Sequence, residues 1–182
     1  MEAQAAIGRI VSFATLGVMS TTQELAGRAL AAMPGADPEQ AAEETLCLVA
    51  TATARAAAVG LQAAPALAQT VGPALLDLPF TYRDYLVGSA MIEAPGTPMD
   101  AVAGAVTERL QRIRDFYLAH LPEGAFPGPR ALTDKMPLWM GRISPPGLPE
   151  TPTERLERLD LVPVLATHLR LILAFARREA GP

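Results

Sequence analysis

The sequence predicts an all-α fold, a single-domain helical bundle of about six or seven helices with one long proline-rich crossing segment. Alanine, the strongest helix former, supplies 34 of the 182 residues, while aromatic residues reach only 5%. Apolar residues recur at spacings of three and four over several long stretches. Ser, Thr or Asp residues stand just before several of these stretches, where they would cap a helix.

Length and charge limit the organisation and the class of partner. One domain over 1–182 is expected, with a possible subdivision into an Ala-rich half (1–93) and a more charged half (97–182). A net charge of −4 argues against a dedicated nucleic-acid binder. The N-terminus lacks the basic region of a signal peptide, so we expect a cytoplasmic chain.

The first half of the chain opens with two capping patterns. A helix is expected from Glu2, and Thr21 either starts a second helix or marks a bend in one long helix. Asp37 and Gln40 then form a capping box that predicts a helix running to about Gly60. Three prolines should divide 61–80 into short pieces, namely Pro65, Pro73 and Pro79.

The second half is more strongly patterned. The stretch 81–84 predicts a helix to about Ile92, with Asp77 capping the turn before it. A longer helix opens at 97–100 and carries one apolar stripe, which consists of Val102, Val106, Leu110, Ile113, Tyr117 and Leu121. Because 121–152 holds 8 of the 17 prolines, it should be mostly irregular and pack across the helices, with a short helical turn over 135–140.

The C-terminal region should be helical again. Thr151 and Glu154 form another capping box, and Pro163 either bends that helix or starts a new one. The terminal helix is apolar on more than one side, which is typical of a central helix or an oligomer interface.

One uncharged stretch is long enough to cross a membrane. Residues 56–76 carry no charge over 21 positions, but they include two glutamines, two glycines and two prolines among many alanines. This apolar content is weak for insertion, so the stretch is interpreted as buried, proline-broken helices and membrane association as improbable.

The sequence offers little for catalysis or for a cofactor. The spacings around His120 and His168 do not match Glu-x-x-His or His-Glu-x-x-His, so no metal site is expected. No phosphate-binding glycine pattern and no nucleophile elbow occurs, and no cofactor and no catalytic residue is assigned. Cys47 is interpreted as a small buried hydrophobe.

Seven residues remain as candidates for binding a ligand or a partner. Met136, Trp139 and Met140 could anchor a loop in the core, form a partner-binding patch or cover a small molecule. His168 lies on an apolar face, which favours a core or interface histidine over a ligand contact or an exposed phosphoacceptor. The last three form a polar-aromatic group that could start a helix or line a ligand site, namely Tyr82, Arg83 and Tyr85.

These observations favour a non-enzymatic interaction, regulatory or assembly protein that forms a homo-oligomer or binds another protein. The alternative is a helical sensor or carrier with an apolar small-molecule pocket near Tyr85, Trp139 and His168. An enzyme without a recognisable motif is the second alternative.

Overall fold

The structure, a computed structural model, is all-helical and describes residues 2–93, 95–122, 124, 131 and 133–181. Within these residues there is no strand and there are nine helices, more than the six or seven predicted. The excess has a physical reason: several prolines occupy the first turn of a helix, where no N–H is needed, and so start helices instead of only breaking them. The helices are α1 (Glu2–Ala32), α2 (Pro38–Gly60), α3 (Pro65–Leu76), α4 (Leu78–Thr81), α5 (Arg83–Glu93), α6 (Met99–His120), α7 (Met136–Ile143), α8 (Pro152–Leu159) and α9 (Val162–Ala180).

Helix α2 is the central helix. It packs against α1, α3, α4, α6, α7 and α9, and every residue from 43 to 54 is buried. Most of these residues are Ala, Thr or other small side chains, which let neighbouring helices approach from all sides. The buried Thr45 and Thr53 hydroxyls donate to the carbonyls of Ala41 and Val49, at 2.5 and 2.6 Å.

Helix α1 is continuous, so Thr21 does not start a second helix and lies buried within the first. The predicted cap of α2 is confirmed in part. The Asp37 carboxylate accepts from the backbone N–H groups of Glu39 and Gln40, at 2.9 and 3.3 Å. The Gln40 side chain does not complete the box, because its amide donates to the carbonyl of Arg142 at 2.8 Å.

The uncharged stretch 56–76 is not one helix, since α2 ends at Gly60 and α3 begins at Pro65. Pro73 lies inside α3 and does not divide it, so that part of the prediction is wrong. Asp77 makes no capping hydrogen bond to α4 either, and its carboxylate lies 3.6 Å from the guanidinium of Arg114.

A different helix meets the length and composition of a membrane span. Within the described residues this is α1, of whose most apolar 18-residue window 33% is buried. Helices α8 and α9 meet the same test together, although they are bent by 75°. Core helices of water-soluble proteins and N-terminal signal sequences can have the same length and composition.

The second half follows the predicted pattern closely. The apolar stripe of α6 is buried from Val102 to Tyr117, and Leu121 is buried beyond it. In the proline-rich segment, α7 extends to Ile143, further than the predicted turn, while 123, 125–130 and 132 lie outside the described residues. The Thr151 capping box is confirmed. A left-handed Asp160 then separates α8 from α9, so Pro163 belongs to a new helix.

Two glycines bring α9 close to its neighbours. A Cβ on Gly17 of α1 would lie 2.7 Å from the His168 ring. A Cβ on Gly60 of α2 would lie 2.6 Å from the Ala176 Cβ and 2.9 Å from the Leu173 carbonyl oxygen. Because a backbone atom cannot move aside as a flexible side chain can, the Gly60 contact determines how closely α2 and α9 pack.

We expect Gly60→Ala to lower the free energy of unfolding by about 1–3 kcal/mol, because the added methyl group overpacks the α2–α9 contact. Gly104→Ala is the matched control, since Gly104 is an exposed helical glycine with no atom within 4 Å of an added Cβ. The control should gain about 0.5–1 kcal/mol from helix propensity. Urea denaturation measures both, and equal effects would contradict the close approach.

Candidate functional site

Three of the predicted binding residues lie in the core. Met136, Trp139 and Met140 on α7 are each 0% exposed. The indole N–H of Trp139 donates to the hydroxyl oxygen of Thr45 on α2 at 3.0 Å. This arrangement corresponds to the loop-anchor interpretation, because the cluster holds α7 against the central helix.

His168 is also buried, and its Nε2 lies 2.7 Å from the Thr53 hydroxyl oxygen. That hydroxyl already donates its hydrogen to the Val49 carbonyl, so it accepts from an Nε2–H of the neutral ring. Burial lowers the pKa of His168 to about 4. The side chain therefore lacks the solvent exposure that a phosphoacceptor histidine needs.

The third group lies on the surface. Arg83 donates to Asp84 at 3.0 Å, Tyr85 is 77% exposed and Tyr82 is partly buried against the core. The predicted pocket near Tyr85, Trp139 and His168 is therefore not assembled. The hydrogen-bond partners of Trp139 and His168 are eight residues apart on α2, about 12 Å along its axis, while Tyr85 is on α5.

The structure contains a charged cleft that the sequence analysis did not identify. Its volume is about 520 Å³, and it lies where α2, α6 and α7 meet. Two consecutive carboxylates of α2, Glu43 and Glu44, are each 1% exposed at its base. Its other lining residues are Asp37, Glu39, Gln40, Arg109, Arg112, Ile113, Phe116 and Arg142.

Each buried carboxylate has its own arginine. Arg109 of α6 donates from Nε and Nη2 to both oxygens of Glu43, at 2.6 Å, and also from Nη2 to Glu39. Burial raises the pKa of Glu43, and the hydrogen bonds and charge of Arg109 oppose that rise. Hydrogen bonding to Glu43 in turn raises the pKa of Arg109. This bidentate pair joins α6 to α2.

Glu44 joins α7 to α2 in the same way. Its Oε2 accepts from Arg142 Nε at 2.8 Å and from the Tyr117 hydroxyl at 2.9 Å. The Arg142 guanidinium also lies 4.2 Å from the centroid of the Phe116 ring. Burial, followed by the negative charge of Glu44, raises the pKa of Tyr117.

Three of the carboxylates that line the cleft, those of Glu39, Glu43 and Glu44, are thus paired with its own arginines. Within the described chain no group of three or more His, Cys, Asp or Glu residues is placed to hold a metal ion. Burial raises the pKa of the nearby Cys47 thiol, which keeps it protonated and unreactive.

The sequence did contain one sign of this cleft, since Glu43 and Glu44 are the only acidic residues in the largely apolar stretch from 41 to 60. Their partners could not be identified because they lie more than 60 residues away.

A second candidate site lies where α1 and α9 pack side by side. The Phe13 and Phe175 rings stack with centroids 4.2 Å apart, and Arg9 pairs with Glu179 at 2.7 Å. Residue numbers therefore rise along α1 as they fall along α9, so the two helices are antiparallel. This register places Leu16 and Leu171 at about the same level along the two helices.

Apolar side chains on this pair of helices face outward. Leu16 is 73% exposed, Leu171 55% and Phe13 36%. We call these three residues, together with the partly buried Phe175, the α1–α9 apolar surface. Other exposed apolar residues, such as Tyr85 and Ile92 on α5, are two helical turns apart on one helix with exposed Gly88 between them.

Comparison of the chain with protein-family models, with curated proteins and with solved structures finds no match.

We expect Glu44→Ala to lower the free energy of unfolding by about 2–4 kcal/mol, because Arg142 and Tyr117 lose their shared partner and Arg142 is only partly exposed. Asp84→Ala removes an exposed ion pair and should change stability by less than about 0.5 kcal/mol. Chemical denaturation of both variants tests the difference, and a small effect at Glu44 would show that the network does not hold α7.

His168 should make the folded state sensitive to acid. The folded chain protonates this ring only near pH 4, whereas the unfolded chain does so near 6.5, so the unfolded state binds more protons between these values. The free energy of unfolding should therefore fall as the pH is lowered, by at most about 1.4 kcal/mol per pH unit.

His168→Gln should flatten this dependence, because glutamine retains a donor for Thr53 but does not titrate. In the wild type and in the variant alike, the raised pKa of Glu43 makes the free energy of unfolding increase as the pH is lowered. The difference between the two proteins in the slope of this free energy between pH 6.5 and 4 therefore reports the titration of His168. Identical slopes would show that His168 is not held neutral.

Proposed function

We propose that this chain is a non-enzymatic helical interaction or assembly protein that self-associates through the α1–α9 apolar surface. The observation that carries the proposal is the exposure of Leu16 and Leu171, which lie at about the same level on two packed helices. Apolar side chains that are exposed close together on a surface can mark an interaction site. A second copy would cover these side chains.

The proposal treats 1–182 as one cytoplasmic domain with a bundle arrangement around α2. The contacts of α2 with six other helices support this view, because these helices share one core. The remaining helices connect to that core, α5 through α4 and α6, and α8 through α7 and α1. A shared core would hold the α1–α9 apolar surface rigid.

The pairing of the interior titratable groups supports a non-enzymatic role. Glu43 and Glu44 are bound to arginines, and His168 donates to Thr53. A catalytic acid or base needs a lone pair or proton directed at a substrate, and these groups direct theirs at one another. An enzyme without a recognisable motif therefore stays the third candidate.

A ligand-binding role remains the second candidate, supported by the charged cleft instead of the apolar pocket that the sequence predicts. Arg109 donates hydrogen bonds from Nε and Nη2 to Glu43, and Arg142 donates from the same two atoms to Glu44. The chemistry of such a ligand would be polar. We rank this role below self-association because the ion pairs already satisfy most of the charges in the cleft.

Self-association should depend on Leu16. We expect the wild-type chain to sediment as an oligomer of its 19.2 kDa mass, and Leu16→Glu to sediment as a monomer, because a charge in the interface loses its hydration. Ile92→Glu is the matched control, since Ile92 is 82% exposed on α5 and the substitution should leave the oligomer intact.

Two results would contradict this function. One is a wild-type chain that stays monomeric at high concentration in sedimentation velocity. The other is a Leu16→Glu variant that retains both its circular dichroism spectrum and its oligomeric state.

A further inference from the structure

We propose that the charged cleft between α2, α6 and α7 binds a short zwitterionic molecule of dipeptide size, with its ammonium group at Asp37 and Glu39 and its carboxylate at Arg112. The cleft holds about 520 Å³, which lies within the roughly 300–1,000 Å³ of small-molecule sites. It shares no residue with the α1–α9 apolar surface, so this binding is compatible with self-association and independent of it.

One end of the cleft keeps a positive group that no carboxylate neutralises. Arg112 lines the cleft, and it takes part in no hydrogen bond or ion pair within the part of the chain that the structure describes. Arg109, one turn earlier on α6, donates to its glutamates from Nε and Nη2, which leaves Nη1 without a partner among the same residues. Because guanidinium groups bind carboxylates through parallel hydrogen bonds, these donors suit the carboxylate of a bound molecule.

The other end of the cleft keeps negative charge. Asp37 uses Oδ1 for the backbone N–H groups of α2, and its Oδ2 accepts no hydrogen bond from the described residues. Glu39 uses Oε1 for Arg109, whose charge is already matched by the buried Glu43, and its Oε2 also lacks a donor within the described chain. An ammonium group donates three hydrogen bonds and accepts none, so these carboxylate oxygens suit it.

The two ends together favour a molecule with both charges. The two buried glutamates are each neutralised by their own arginine. The charges that remain in the cleft are negative at Asp37 and Glu39 and positive at Arg112. A simple anion would be repelled by the carboxylates, and a simple cation would be repelled by the guanidinium group, whereas a zwitterion matches both ends.

The distance between the two ends sets the length of the molecule. Arg109 binds Glu43, and Tyr117 binds Glu44. Arg112 lies between Arg109 and Tyr117 on α6, so it is at about the level of these two glutamates. The acidic end lies four to seven residues earlier on α2, about 6–10 Å along its axis. The ends of an extended dipeptide are about 7 Å apart, whereas those of a single amino acid are within about 3.5 Å.

Apolar side chains also line the cleft beside Arg112. Ile113 and Phe116 follow it on the same face of α6. They offer contact to small apolar side chains, which makes L-alanyl-L-alanine a suitable probe.

NMR titration of the full chain with alanylalanine tests the site. We expect this dipeptide to bind, and its N-acetyl derivative and its C-terminal amide each to bind at least about tenfold more weakly, because each lacks one charged end. Free alanine should also bind at least about tenfold more weakly, since its two charged groups are too close together to reach both ends.

Two variants locate the charged ends. Arg112→Gln removes the cation without breaking an ion pair of the described chain, and Asp37→Asn removes negative charge but keeps a good helix cap. Each should weaken alanylalanine binding at least about tenfold. Arg28→Gln is the matched control, because it removes an exposed arginine of α1 outside the cleft and should leave the Kd for alanylalanine unchanged.

Several results would overturn the site. They are the absence of alanylalanine binding, equal binding of the dipeptide and its acetylated or amidated form, and an unchanged Kd in Arg112→Gln. A loss of binding in Arg28→Gln as large as in Arg112→Gln would do the same, because it would assign the effect to overall charge. None of these results bears on self-association, which the sedimentation of the wild type and of Leu16→Glu decides separately.

Discussion

The burial of α2 on every side is the constraint on which the rest of the structure depends. Because every residue of α2 from 43 to 54 is buried, each polar side chain in this stretch needs a partner inside the protein. Small residues along its length let the neighbouring axes come close. The few polar residues then determine which neighbour lies where. Glu43 pairs with Arg109 of α6, Glu44 pairs with Arg142 of α7, and Thr53 is hydrogen-bonded to His168 of α9.

The buried ion pairs contribute more to this selection than to net stability. Removing two carboxylates from water costs several kcal/mol for each ion, and the arginines offset much of that cost through bidentate hydrogen bonds. A slide of α6 or α7 along α2 would leave Glu43 or Glu44 buried without its arginine, so the ion pairs help to set the register of these helices.

The packing of α1 and α9 against α2 and against each other also explains why their outer sides keep an exposed apolar surface. Each helix is held on its inner side, by α2 and by the other through Gly17, His168 and the stacked phenylalanine rings. Once these contacts are made, no remaining described helix covers Leu16 or Leu171. The inner sides of the two helices already bury their own apolar residues, among them Ile10 and Leu25 of α1 and Leu169 and Ile172 of α9. Leu16 and Leu171 therefore stay exposed after the described helices have packed.

The sequence by itself determined the helical class, most helix boundaries and the buried stripe of α6. These features depend on local rules: alanine content, capping boxes at Asp37 and Thr151, and apolar spacing. It left open whether Trp139 and His168 lie inside and did not identify the cleft of Glu43 and Glu44. The tertiary structure alone decided these points and the position of the α1–α9 apolar surface. Hydrogen-bond partners that lie 60 to 170 residues apart produce no repeating pattern in the sequence. The exposure of a side chain, such as that of Leu16, depends on which helices pack next to it.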